Sequence, residues 1–162
     1  MSFDVILHHF RDGKDSEPAD RQAVLAVVRS YANVTVDKYG DYDVPLRDGA
    51  HIDFSASNLE SDAIFNGCAF HLRGFSIPHC EFILDIARAG DMAMFNAQGD
   101  DTPQNPVLIL CAAEQAFHVP KDMYKNAIIA ENGLHLYSLL EGTFESWSDY
   151  RAQVMNLARD PA

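Results

Sequence analysis

The sequence predicts an α+β fold in which residues 1–162 form one domain. We expect a mixed, largely antiparallel sheet flanked by about three to four helices. Two observations predict this class. Apolar residues alternate with polar ones in the middle of the chain, which is typical of strands with one buried face. Before and after that region they recur at three- and four-residue steps, which is typical of amphipathic helices. With 162 residues, 48% of them apolar, the chain is long enough to bury a sizeable core.

The N-terminal part predicts one strand and one helix. Phe3–Phe10 is a short apolar run containing two histidines, and it predicts a strand buried on both faces or nearly so. A helix is expected over Pro18–Ala32, because Pro18 suits a first turn and Asp20 suits the positive end of the helix dipole.

The central part predicts an antiparallel meander with one buried and one wet side. Gly40 and Asp48-Gly49 mark turns between short alternating segments. A longer strand is expected within Ala63–Arg73. One face of the strand before it carries Ile52, Phe54 and Ala56, and the opposite face carries His51, Asp53 and Ser55.

The remaining elements follow from caps and breakers. Ser76 is a good N-cap for a helix that Gly90 ends as the C′ residue. Val107–Cys111 is an unbroken apolar run and predicts a central strand, and Pro120–Asn126 is compatible with one helical turn. At the C-terminus we expect two helices, broken by Gly142. The other expected elements are a strand over 92–95, a loop over 98–106, a short strand at Ile128–Ile129, a helix over 134–140 and a last helix capped by Thr143.

The charge balance limits the kinds of partner. The chain has 24 Asp and Glu against 12 Lys and Arg, so its formal net charge is −12. No Lys/Arg stripe is present, which argues against nucleic-acid binding. No apolar run approaches the roughly 20 residues that span a bilayer. Three cysteines without a close pair indicate no disulfide framework, so we expect a cytoplasmic protein. A solvated surface that keeps the protein soluble is the simpler explanation of the acidity, and an acidic face that steers a basic partner is the alternative.

No motif with a recognisable reaction mechanism is present, so we expect a protein that is not an enzyme and needs no cofactor. The nearest candidate for a nucleophile is Cys80, which lies beside His79 at the start of a predicted helix. Adjacent helical side chains diverge by about 100°, so that pair is poorly placed. Buried structural roles are therefore expected for Cys68, Cys80 and Cys111.

An alternative function is that of a small metal-dependent enzyme or metal-binding protein. His51 and Asp53 are two residues apart on a predicted strand, so their side chains point the same way. His71 lies on the polar face of the longer strand and could come near if the two strands pair. Such a trio offers ligands for a divalent metal, although polar residues on a solvated sheet face are the simpler explanation.

A turn rich in tyrosine and aspartate is the candidate for partner binding. Tyrosine is a favoured interface anchor, and neighbouring carboxylates engage Arg or Lys of a partner. An ordinary polar hairpin remains the alternative. The candidate partner-binding residues are Asp37, Tyr39, Asp41, Tyr42 and Asp43.

Four segments resemble a group of small uncharacterised bacterial proteins, and they cover about a third of the chain. In size, acidity and lack of reaction motifs the chain is also similar to the immunity proteins that neutralise bacterial toxins. This resemblance carries over no functional residue. The segments are FDVILHHF at the start, FNGCAFHLRGFS (Phe65–Ser76), ILDIARAGDMAMFNA (Ile83–Ala97) and GTFESWSDYRAQV (Gly142–Val154).

The leading hypothesis is therefore a cytoplasmic acidic binding module, an immunity protein that blocks a basic bacterial toxin by occlusion. Nuclease toxins are often basic because they grip nucleic acid, and an acidic inhibitor can cover that surface. Besides the metal alternative, an adaptor or a homodimer-forming structural protein also fits the sequence.

Overall fold

The structure is a computed structural model that describes residues 2–15 and 17–159. Its centre is one eight-stranded sheet in the order β2-β3-β4-β5-β1-β6-β7-β8. Neighbouring strands are antiparallel except β7 and β8, which are parallel. The strands are β1 (Phe3–His9), β2 (Thr35–Val36), β3 (Asp41–Pro45), β4 (His51–Ser55), β5 (Gly67–Leu72), β6 (Met92–Asn96), β7 (Leu108–Leu110) and β8 (Ile128–Ile129).

Three α-helices are present in the described part of the chain: α1 (Arg21–Arg29), α2 (Ile77–Gly90) and α3 (Gly133–Arg159). A short 3₁₀ helix covers Ala113–Phe117. The predicted α+β class with a mixed, largely antiparallel sheet is therefore confirmed. Over the same residues, no helix has both the length and the apolar character needed to cross a membrane.

The helices share one face of the sheet, called here the inner face. Strand residues pointing that way, such as Val5 and Phe70, are fully buried in one cluster with Val24 of α1, Phe82 of α2 and Leu136 of α3. The opposite, outer face differs between its two halves. A second apolar cluster covers it at β6 and β7, where Val119 and Tyr124 pack on Leu108 and Leu110. Over β3, β4 and β5 the outer face is open and polar.

The N-terminal elements are shorter than predicted. Strand β1 is buried on one face only, since Ile6 on the outer face is 42% exposed. The helix predicted from Pro18 begins at Arg21, because the Asp20 side chain accepts a hydrogen bond from the Ala23 amide and caps it there.

The predicted break at Gly142 is wrong, because α3 runs through it as a helix of 27 residues. Glycine costs a helix about 1 kcal/mol, which packing on both sides of it outweighs here. Leu140, Thr143 and Trp147 are all buried. Thr143 is not an N-cap but a buried link, since its hydroxyl accepts from the Asn96 amide and donates to Asn105.

Two other boundaries differ from the prediction. Helix α2 ends at Gly90, and the next residue, Asp91, takes the left-handed conformation expected of Gly90. Gly90 is closely packed instead, because a Cβ there would lie 2.6 Å from Cε of Met92 and 3.1 Å from Cγ2 of Val24. Strand β5 begins at Gly67 rather than near Ala63, and the segment 120–126 contains no helical turn.

Candidate functional site

The open half of the outer face forms a groove with a volume of about 720 Å³, called here the acidic groove. It lies over β3, β4 and β5 and reaches the edge strand β2. Four carboxylates and one guanidinium are among its lining side chains. Its lining residues are Ser2, Thr35, Val36, Asp37, Asp41, Tyr42, Asp43, Asp53, Phe54, Ser55, His71 and Arg73.

Strand register explains why polar side chains collect there. Thr35 pairs with Asp43, Asp43 with Asp53, Asp53 with His71, and His71 with Asp4. Directly paired residues point to the same face of a sheet, so these five side chains form one row across five strands. Their inward neighbours, such as Phe54 and Phe70, are in the core. One alternating pattern therefore creates both the core and the groove.

Two carboxylates lie directly opposite each other in this row. Asp43 on β3 and Asp53 on β4 are register partners. Like charges at directly opposed positions destabilise a sheet by repulsion. The Nδ1 atom of His51 lies 2.7 Å from Oδ1 of Asp43 and engages one of the two carboxylates. The pair concentrates negative charge at the middle of the groove.

A chain of polar contacts runs along the groove floor. Nδ1 of His71 lies 3.0 Å from Oδ1 of Asp4, and its Nε2 lies 3.1 Å from Oγ of Ser55. The order Asp–His–Ser is that of a nucleophilic triad. However, the Ser55 hydroxyl donates its single proton to Oδ1 of Asp41 at 2.5 Å, so the proton is directed away from His71. This series of polar contacts therefore fixes the orientation of the Asp41 and Asp4 side chains.

The backbone around Ser55 also does not suit acyl transfer. An oxyanion hole needs free N–H donors beside the nucleophile. Ser55 is paired with Asp41 on one side and with Ala69 on the other. The ladders of an internal strand use its backbone amides for sheet hydrogen bonds.

The structure places the predicted partner-binding residues in different surroundings. Asp41 and Asp43 line the acidic groove. Asp37 also lines it, but its Oδ1 accepts from the amides of Tyr39 and Asp41, so its carboxylate also holds the turn together. Tyr39 is 68% exposed at the tip of the turn, where Nζ of Lys38 lies 4.9 Å from its ring centroid.

The prediction that Tyr42 is an exposed anchor on a turn is wrong. Its side chain is 4% exposed and belongs to the core. Position 42 points inward on β3, where its ring stacks on Phe54. Its hydroxyl donates to Oε2 of Glu60 at 2.5 Å, which satisfies the polar atom. Burial, with the neighbouring Glu60 carboxylate, raises the pKa of the Tyr42 phenol.

The predicted metal trio does not form a ligand set. His51, Asp53 and His71 share the outer face as expected, and Asp53 is opposite His71. The contacts described above direct His51 to Asp43 and both ring nitrogens of His71 to Asp4 and Ser55. Within residues 2–15 and 17–159 no group of three or more His, Cys, Asp or Glu side chains is arranged to hold a metal ion.

The cysteines are buried or half-buried, in keeping with the structural roles predicted for them. Burial raises the pKa of the Cys68 thiol to about 12, and burial also raises the pKa values of Cys80 and Cys111. His79 is no base for Cys80. Its Nε2 donates to the backbone carbonyl of His51 at 3.1 Å, and its Nδ1 lies 2.7 Å from the Ser76 hydroxyl.

Several residues of the site carry no sequence motif. Ser2, Thr35, Ser55 and Arg73 line the groove, and Asp4 of β1 contacts His71. The alternation along each strand placed Ser55 on the wet face, but only the pairing of β1 with β5 brings Asp4 to His71. The sequence therefore indicates which face of the sheet each residue occupies. It does not indicate which strands are neighbours.

No protein-family model, curated protein or solved structure matches this chain.

Proposed function

We propose that this protein is an acidic binding module that holds a basic segment of a partner protein in the acidic groove, and that it acts as an immunity protein against a basic bacterial toxin. In this role it binds the cationic surface that the toxin uses for its own substrate. Inhibition follows from occlusion, without any chemical change to the toxin.

The opposed pair Asp43 and Asp53 carries the proposal. A like-charged pair on an open sheet face costs stability, and nothing in the core depends on either carboxylate. A partner's Arg or Lys placed between them removes the repulsion and gains charge-assisted hydrogen bonds. Function therefore accounts for an arrangement that folding alone disfavours.

The other groove residues also support binding of a basic segment. Asp37 and Asp41 extend the negative surface toward the β2 edge, and the net charge of −12 adds a long-range field. The Ser55 hydroxyl bond to Asp41 orients that carboxylate before a partner arrives. Less side-chain entropy is then lost on binding.

Co-expression with the product of the adjacent gene tests the proposal, because immunity genes lie beside those of their toxins. We expect that product alone to arrest bacterial growth and this protein to restore it. The double variant Asp41→Asn/Asp53→Asn should weaken the purified complex about tenfold, equivalent to about 1.4 kcal/mol. Its binding is measured by biolayer interferometry at low salt.

The matched control is Glu145→Gln/Asp149→Asn. It also removes two charges, from exposed positions on α3 that do not line the groove. It should bind as tightly as the wild type. An equal loss of affinity in the groove variant and in the control would show that only the net charge of the protein matters. A neighbouring gene product that neither arrests growth nor binds would overturn the immunity role.

A further inference from the structure

A second groove, called here the apolar groove, adjoins the acidic one on the outer face, where the open half of that face meets the covered half. It has a volume of about 550 Å³ and lies over β1 and β6. Ile6 on its floor and Met123 on its wall are each 42% exposed. The other lining residues are His8, Phe10, Phe95, Asn96, Ala97, Gly99, Val107 and Tyr124.

One register row joins the two grooves. Asp41 pairs with Ser55, Ser55 with Ala69, Ala69 with Ile6, and Ile6 with Phe95. The row passes from a carboxylate to a hydroxyl, a methyl group and then large apolar side chains. Because Ala69 is small, no bulky side chain of this row separates the acidic end from the apolar end.

We infer that this face binds one amphipathic α-helix of a partner, with Arg or Lys side chains in the acidic groove and Leu or aromatic side chains in the apolar groove. The inference rests on the proposed function and specifies its partner. Charge complementarity selects the cationic end, and the exposed apolar floor at Ile6 selects the other end.

The backbone of the sheet between the two anchors favours a helix as the partner element. Strands β4, β5 and β1 are each paired on both sides, so an added strand finds no free backbone groups on this face. Recognition must then use side chains alone. A helix satisfies its own backbone and presents a row of side chains, as in helix-in-groove recognition.

The strand spacing sets the separation of the two anchors. Asp41 and Ile6 are three strands apart in one row, which corresponds to about 14 Å at the usual spacing. A helix rises 1.5 Å per residue, so about ten residues separate the cationic from the apolar anchor. The partner helix therefore needs just under three turns between them.

Three synthetic helical peptides test the inference by fluorescence anisotropy. The first peptide carries Arg residues at one end of a face and Leu residues about ten positions later. In the second peptide Ser replaces the Leu residues, and the third has the composition of the first with Arg and Leu interleaved. We expect the first to bind about tenfold more tightly than either of the others.

Protein variants assign the effect to the groove. Ile6→Thr keeps a β-branched side chain on β1, and Met123→Gln nearly keeps the shape of an exposed side chain. Each should weaken the first peptide several-fold and leave the second unchanged. Leu134→Ser, at an exposed apolar position on α3, is the matched control and should change neither.

The outcomes separate this inference from the proposed function. If the first two peptides bind equally, or Ile6→Thr and Met123→Gln leave the first unaffected, the apolar groove is no anchor and the inference fails. The acidic groove still stands in that case if Asp53→Asn weakens both peptides. If Asp53→Asn weakens neither, the proposed function fails as well.

Discussion

The ring of Tyr42 stacks on that of Phe54, with the ring centroids 4.8 Å apart and the planes inclined by 17°. The two residues are register partners on β3 and β4. On the same two strands Asp43 and Asp53 are partners on the opposite face. One hairpin therefore contributes an aromatic stack to the core and a pair of carboxylates to the groove.

Replacing Tyr42 should destabilise the fold, unlike replacing Tyr39. Tyr42→Ala removes a buried stacked ring and should lower the free energy of unfolding by about 3–5 kcal/mol. Tyr39→Ala alters an exposed residue at the turn and should stay within about 0.5 kcal/mol of the wild type. Urea unfolding followed by far-UV circular dichroism measures both. Equal stability of the two variants would contradict the placement of Tyr42 in the core.

Asp53→Asn should stabilise the isolated protein while weakening its complex. The substitution removes the repulsion between Asp43 and Asp53 and keeps the shape of the side chain. Cross-strand pairs are worth about 0.2–1 kcal/mol, so a gain of that size in the free energy of unfolding is expected. Thermal and urea unfolding of the free protein measure it. A destabilised variant would mean that the Asp53 carboxylate serves the fold.

Gly40→Ala should cost more stability than Gly49→Ala. Both glycines have a left-handed backbone, with φ of 81° and 80°, so both variants bear a conformational cost of about 1–2 kcal/mol. Only at Gly40 would the new Cβ also collide, since it would lie 2.5 Å from the Cα atom of Ser57. Unfolding of the two variants in urea isolates the collision. Similar losses would show that the turn at Gly40 can shift.

Alkaline pH should unfold the protein partly through Cys68. Burial holds the pKa of this thiol at about 12 in the folded protein, above its ordinary value of 9.0. Its contribution to stability is complete below about pH 9 and is lost as the pH rises toward the folded pKa. Cys68→Ala should therefore lose stability less steeply between about pH 8.5 and pH 10.5. Urea titrations across this range measure the slope, and parallel slopes would contradict the assignment.

Association with a basic partner should slow as salt rises. Exposed charges are screened beyond about 8 Å at physiological ionic strength, and the groove carboxylates are open to solvent. The association rate should fall at least tenfold between about 20 mM and 500 mM NaCl, while dissociation changes less. Stopped-flow measurements separate the two rates. An association rate that ignores salt would remove the electrostatic basis of the proposal.

Local sequence determined most of the elements and the face that each residue occupies. Alternation alone placed Ile52 and Phe54 inside and His51 and Asp53 outside, because successive strand residues point to opposite faces. The same rule applied to Tyr42 places it beside Val44 in the core. The acidic neighbours of Tyr42 suggest a surface turn, but its alternation with polar residues and its stacking on Phe54 place the ring in the core. The predicted helix break at Gly142 is wrong for a related reason, since packing outweighs the low helix propensity of glycine.

Only the tertiary structure decided which strands are neighbours. Asp4 and His71 are 67 residues apart in sequence, and the insertion of β1 between β5 and β6 brings them together. That insertion also places Ile6 next to Ala69 and Phe95, which sets the apolar groove beside the acidic one. The periodicity of a strand encodes its faces, whereas strand order depends on how all the apolar faces are buried together. The sequence therefore determined the chemistry of the open face, and the fold determined its arrangement.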